Sequence, residues 1–154
     1  MRKILRTAAI PAAMILLTVL CHTASAARYQ EFSESDKMML AKAVRIEAAN
    51  EGILTKICFI STTFNDLHDV GFSGNLKNTV LYGGNFRRVT EDKITSVRDG
   101  DCVLERSLVE IVLQKDLDPT GGAVFWMSTD DTHLWEITET FRCDGFAFGR
   151  LLEP

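Results

Sequence analysis

The run Leu40-Ala41-Lys42-Ala43-Val44-Arg45-Ile46-Glu47-Ala48-Ala49-Asn50-Glu51-Gly52 decides how the rest of the chain is read. Good helix formers fill it, and Gly52 stands where a left-handed residue would stop a helix. It therefore reads as the end of a helix that reaches about Asn50. At roughly 100° per residue, Leu40, Ala43 and Val44 form an apolar stripe, with Met39 and Ile46 at its edge. Glu47 falls inside that stripe, away from Lys42 and Arg45. A carboxylate aimed at a core is costly unless it is neutralised or partnered. Burial, a second acid at Glu51 one turn on, and the helix C-terminus all disfavour its anion, which is the condition a general acid needs. The plainer reading is a boundary glutamate with a packed stem and a wet head.

Upstream, Met1-Arg2-Lys3 and Arg6 begin a basic segment, Ala8 to Cys21 is an apolar run, and Ala24-Ser25-Ala26 has the form of a signal-peptidase site. Residues 1–26 are thus expected to be a signal peptide and 27–154 the exported domain, periplasmic or extracellular. The apolar run is short for a membrane span, so no stable span is expected after cleavage. Leu20 before Cys21 argues against lipidation. Ala27 to Phe32 reads as a lead-in. Ser33 and Ser35 are candidate N-caps, and Glu34 and Asp36 suit a first turn.

Downstream, a second helix is expected from about Leu54 to Asn65, with Ile57, Cys58, Ile60 and Phe64 inward. A loop over His68 to Asn75 follows, then a short helix from Leu76 to Tyr82 closed by Gly83-Gly84. After Asn85-Phe86-Arg87-Arg88-Val89 comes a polar segment ending at Asp99-Gly100-Asp101. Val103, Leu104, Leu108, Val109, Ile111 and Val112 repeat at helical spacing, so Cys102 to Gln114 reads as a helix with Asp101 as its cap. Asp118-Pro119-Thr120-Gly121-Gly122 is a turn. Ala123 to Met127 reads as a buried strand, Leu134 to Phe141 as a strand or irregular segment, and Gly145 to Leu151 as a last strand. Helices first and a small sheet late give an α+β domain, mainly helical, with its core at about residues 33–151.

Without residues 1–26 the chain keeps 14 of its 17 basic residues and all 21 acidic ones, a formal charge of −7. That argues against nucleic acid as a partner, since phosphate binding needs clustered Lys and Arg. Three cysteines remain. Cys58, between Ile57 and Phe59, reads as a buried hydrophobe. Cys102 and Cys143 each lie beside Asp and Gly in turn-like surroundings, and a Cys102–Cys143 disulfide is the expected pair in an exported protein. No metal site is expected from the cysteine spacing. His68 and His133, each near acidic residues, read as solvated.

Four blocks then carry a resemblance. Ala43 to Gly52, with its Glu47-Ala48-Ala49-Asn50-Glu51-Gly52 ending, resembles the signature of the SleB-type cell-wall hydrolases, the spore-cortex lytic enzymes. Asn78 to Phe86 is similar to that family's segment ending in Gln-Phe. Asp118 to Trp126 is similar to its D-P-T-G-G-A block followed by aromatics, and Gly145 to Arg150 to its G-x-x-F-x-R ending. The blocks keep the family's order. The sequence departs from the pattern in the second helix, at Asn85 and at Arg87.

The resemblance implies a lysozyme-like, lytic transglycosylase-like single domain that cleaves peptidoglycan glycan strands between N-acetylmuramic acid and N-acetylglucosamine. It makes Glu47 the catalytic acid. A monomer without a cofactor is expected. A lytic transglycosylase is expected before a hydrolytic muramidase or endolysin, because a second carboxylate is hard to place. Glu51 is the only motif-supported candidate, and two residues i,i+4 on one helix flank a bond poorly. Phe86, Phe125 and Trp126 offer faces for sugars, with core packing the competing reading. Asn85, behind two glycines, is suited to an acetamido group. The alternative class is an exported, non-catalytic glycan-binding or interaction protein on the same scaffold.

Overall fold

A computed structural model of the chain describes residues 32–69, 75–131 and 137–151. The expected signal peptide, most of the lead-in, residues 70–74 of the first loop, residues 134–136 and His133 lie outside the described residues.

Helix α1, Glu34–Glu47, starts as its sequence suggests. Ser33 Oγ accepts the Asp36 amide hydrogen at 3.1 Å, and Asp36 Oδ2 accepts that of Ser33 at 3.1 Å, a reciprocal cap that satisfies two otherwise orphaned donors. Leu40, Ala41, Ala43, Val44 and Glu47 are its buried residues, so the apolar stripe and the carboxylate inside it face inward together. The helix stops at Glu47 rather than near Asn50. Ala48 is the C-cap and Glu51 sits in the following turn, so Glu51 is not one helical turn beyond Glu47. Gly52 is no left-handed stop either: with φ −64° and ψ 163° it caps the next helix. Its missing side chain matters for space, since a Cβ there would lie 3.0 Å from Asp144 Oδ2.

Helix α2, Ile53–His68, runs longer than the sequence suggests at both ends and carries the most buried residues. Its serines and threonines are poor helix formers, and the Ser61 and Thr63 hydroxyls bond to main-chain carbonyls while that of Thr62 is buried without a partner. Thr63 Oγ1 donates to the Phe59 carbonyl at 2.7 Å, and Ser61 Oγ to those of Ile57 at 2.9 Å and Leu117 at 2.7 Å. Helix α3 is Leu76–Tyr82, capped by Asn75, whose side chain accepts from the Asn78 amide at 2.9 Å.

The polar segment after Val89 contains a helix the sequence reading did not assign, α4, Glu91–Ser96, with a Thr90 cap and no buried residue. A 3₁₀ turn over Asp99–Cys102 leads into α5, Val103–Lys115. Asp101 is part of that turn and grips Arg98 instead of capping α5. Helix α1 packs on α3, α4 and α5, while α2 packs on α3, α5 and the sheet.

The sheet has three antiparallel strands, β1 Phe125–Ser128, β2 Ile137–Cys143 and β3 Phe146–Leu151, in the order β1-β3-β2. Trp126 lies opposite Phe148. Strands β2 and β3 are joined by Asp144-Gly145, both at positive φ (44° and 79°), the two-residue turn whose twist suits a hairpin. The expected α+β architecture with a late small sheet is the one observed.

Candidate active site

Glu47, the last residue of α1, is 7% exposed. Its partner is the main chain of the α3–α4 connection: Oε2 accepts the Arg88 amide hydrogen at 2.9 Å. The Arg88 guanidinium reaches around to the Glu47 carbonyl oxygen at 3.5 Å. The carboxylate is thus fixed in position by a backbone donor, which survives any change of the Arg88 side chain except to proline.

Glu47 borders a cleft of about 180 Å³. Asn85, Arg87 and Arg88 line one side of it, and Trp126, Met127, Ser128 and Phe146 come from the sheet. Glu47 is the one carboxylate among the described residues that line it. At the rim, Arg87 Nη1 and Asp131 Oδ2 are 2.6 Å apart.

Asn85 lines the same cleft, but its side chain is spent inside the protein. Nδ2 donates to the Val124 carbonyl at 3.1 Å and to Asp66 Oδ2 at 3.4 Å, and Oδ1 accepts the Trp126 amide at 3.3 Å. It therefore ties the α3–α4 connection to β1 and α2. Asp66 is in turn half-buried, and burial, with the charge of Asp69 added, pushes its carboxyl up to about 6.

Trp126 stacks on Phe59 of α2, centroids 4.6 Å apart and planes at 16°, and takes Phe86 edge-on at 4.9 Å and 85°. Phe146 meets Phe59 edge-on at 5.0 Å. Trp126 and Phe86 are both buried; Trp126 lines the cleft, and Phe86 packs against it from behind. Phe125 points to the other face of β1 and packs, partly buried, against Met127 and Ala147. Glu51, half-buried in the turn, does not line the cleft.

The cysteines do not meet as the sequence suggests. Cys143 Sγ lies 4.0 Å from Cys58, while Cys102 is buried where the 3₁₀ turn enters α5, and all three are free thiols. Cys102–Cys143 is corrected on this ground: the hairpin delivers Cys143 to α2, not to α5.

Sequence reasoning missed Arg88, because its contribution comes from an amide that every non-proline residue has. It also missed Phe146 and Ser128, whose part in the cleft depends on the strand order.

The fold, a helical domain with a small three-stranded antiparallel sheet late in the chain, is that of the SleB catalytic domain. The catalytic domain of the germination-specific lytic transglycosylase SleB from Bacillus anthracis superposes with a TM-score of 0.66 at 19% identity, covering 78% of this chain and 98% of that one. The catalytic domain of the Bacillus cereus SleB protein gives 0.66 at 18%, covering 78% and 93%. The sequence matches no protein-family model and no curated protein.

Proposed function

We propose that this chain cleaves the glycan strands of peptidoglycan as a lytic transglycosylase, with Glu47 as the acid and then the base. The observation that carries the reading is the buried Glu47 carboxylate, held by the Arg88 amide at the border of a cleft in which it is the one acid among the described lining residues. The shared fold supports it, since the Bacillus anthracis neighbour is a lytic transglycosylase.

In the proposed reaction Glu47 gives a proton to the oxygen between N-acetylmuramic acid and N-acetylglucosamine. Positive charge develops at the muramic anomeric carbon as that C–O bond breaks. Glu47, now ionised, takes the proton of the same sugar's C6 hydroxyl, and O6 closes on the anomeric carbon as a 1,6-anhydro ring. One carboxylate suffices, because the nucleophile comes from the substrate and no water has to be activated across the bond. Trp126 and Phe86 serve as the hydrophobic backing, Arg87, Arg88 and Ser128 as the polar edge. We place the working protein, a cofactor-free monomer, outside the cytoplasmic membrane, where its substrate is. Among the described residues no helix is long and apolar enough to cross a membrane.

Mass spectrometry of purified murein digested by the protein tests this. Fragments ending in 1,6-anhydro-muramic acid are expected. Reducing muramic ends would replace the lytic route with hydrolysis, and undigested murein carrying bound protein would make the domain a binding module.

A further inference from the structure

The mechanism uses none of the three described thiols, and two of them meet behind the cleft. Cys58 is fully buried on α2, next to Phe59, the ring on which Trp126 stacks. Cys143 is the last residue of β2, half-buried, paired across the hairpin with Phe146, which lines the cleft. Their sulfurs are 4.0 Å apart. A disulfide needs about 2 Å, so side-chain rotation has to close a gap of roughly another 2 Å. The two backbones are already held together here. Thr55 Oγ1, one turn before Cys58, donates to Asp144 Oδ2 at 2.5 Å and lies 3.4 Å from Cys143 Sγ.

We propose that Cys58 and Cys143 form a disulfide that fastens the β2–β3 hairpin to α2 behind the cleft, leaving Cys102 as the free thiol. Eighty-five positions separate the two cysteines, so the bridge closes most of the domain into one loop. It also fixes Phe146 and Phe59 relative to each other. This bridge stands on the thiol geometry and needs neither glycan cleavage nor the identity of the acid.

The step is a double exchange with a disulfide oxidant. Cys143, the more accessible thiol, loses its proton to solvent and attacks one sulfur of oxidised glutathione. A mixed disulfide forms and one glutathione leaves as thiolate. Cys58 then gives up its proton and attacks the Cys143 sulfur, expelling the second glutathione. Two protein thiols and one oxidised glutathione give one protein disulfide and two reduced glutathiones. Burial, and after it the neighbouring Cys143, pushes the Cys58 thiol up, which suits it to the second, proximity-driven attack rather than the first. Cys102, also buried and pushed up by burial, has Glu105, Lys42, Arg45 and Asp101 as its charged neighbours.

The test equilibrates the full chain, purified reduced, with excess oxidised glutathione. The sample is acid-quenched, denatured, alkylated and peptide-mapped. The expected result is one cross-linked peptide pair holding Cys58 and Cys143, with alkylation at Cys102 and, where the leader is present, at Cys21. The oxidised form should also melt several degrees above the reduced one, and the difference should vanish in the Cys58→Ala/Cys143→Ala double variant. Full alkylation of Cys58 and Cys143, glutathione adducts that never resolve, or a bridge to Cys102 would each overturn the proposal. None of these outcomes depends on whether murein is cut.

Discussion

The Glu47–Arg88 contact separates two ways of disabling one residue. Arg88→Ala keeps the main-chain donor and removes only the guanidinium at the Glu47 carbonyl. Arg88→Pro deletes the donor itself and frees the carboxylate to turn. A misplacement of about 1 Å at a reacting group costs on the order of 100-fold. Murein-digestion rates should therefore fall about 100-fold in Arg88→Pro and much less in Arg88→Ala, both checked for folding by circular dichroism. Equal losses would put the work in the guanidinium.

Asp66 makes a prediction of a different kind. Its carboxyl in the fold is raised to about 6 from an ordinary 3.8, so the fold prefers its protonated form. The resulting stabilisation is complete below about 3.8, and is lost as the pH rises through about 6. Denaturant midpoints should thus shift in favour of wild type over Asp66→Asn between about pH 7 and pH 4. A constant difference would mean that the aspartate is not buried as described.

Among the elements, the Asp118-Pro119-Thr120-Gly121-Gly122 turn is held by one carboxylate. Asp118 Oδ1 accepts from the Thr120 amide at 2.9 Å and its hydroxyl at 2.5 Å, and Oδ2 from the Gly122 amide at 2.7 Å and Asn65 Nδ2 at 3.1 Å. Burial acts to raise its pKa, but these donors outweigh burial and hold it below the usual carboxylate range. The sign is therefore opposite to that of Asp66. The contribution is present above about 3.8 and lost as the pH falls through the lower folded value. Asp118→Ala should cost about 2 kcal/mol near neutral pH, measured by denaturant unfolding, with the gap narrowing in acid.

Elements with a strong apolar period or a clear cap were legible in the sequence: α1's start, α3, α5 and the last strand. What failed to show was decided by distant contacts. Glu47 at the end of α1 meets the Arg88 amide, and Gly52 meets Asp144 from the far end of the chain. Helix α4 has no buried face, so periodicity had nothing to report. Asp144-Gly145, turn-like in the sequence, is a hairpin signal of the two-residue kind.

Across the helical layer, a buried ion pair ties α2 to α5. Lys56 Nζ of α2 lies 2.6 Å from Glu105 Oε1 of α5, with side chains 4% and 1% exposed, and Arg45 of α1 stands 3.7 Å from the same oxygen. Breaking such a pair from one side strands a charge and costs about 3–5 kcal/mol, whereas apolar replacement of both partners is often near neutral. Glu105→Leu alone should therefore be much less stable to denaturant than Lys56→Met/Glu105→Leu. Additive losses in the double variant would contradict the coupling.

The candidate site was legible in the sequence as far as Glu47, because an acid inside an apolar stripe is a local pattern. Its surroundings were not, since Arg88, Phe146 and the inward use of Asn85 follow from strand order and main-chain geometry. The measurement that bears most directly on the central claim compares wild type and Glu47→Gln on purified murein by zymogram and turbidity loss. The substitution keeps the shape and the Arg88 amide contact and removes the transferable proton. Clearing by wild type, with a loss of at least about 100-fold in the folded variant, is the result predicted. Equal clearing by both would contradict it.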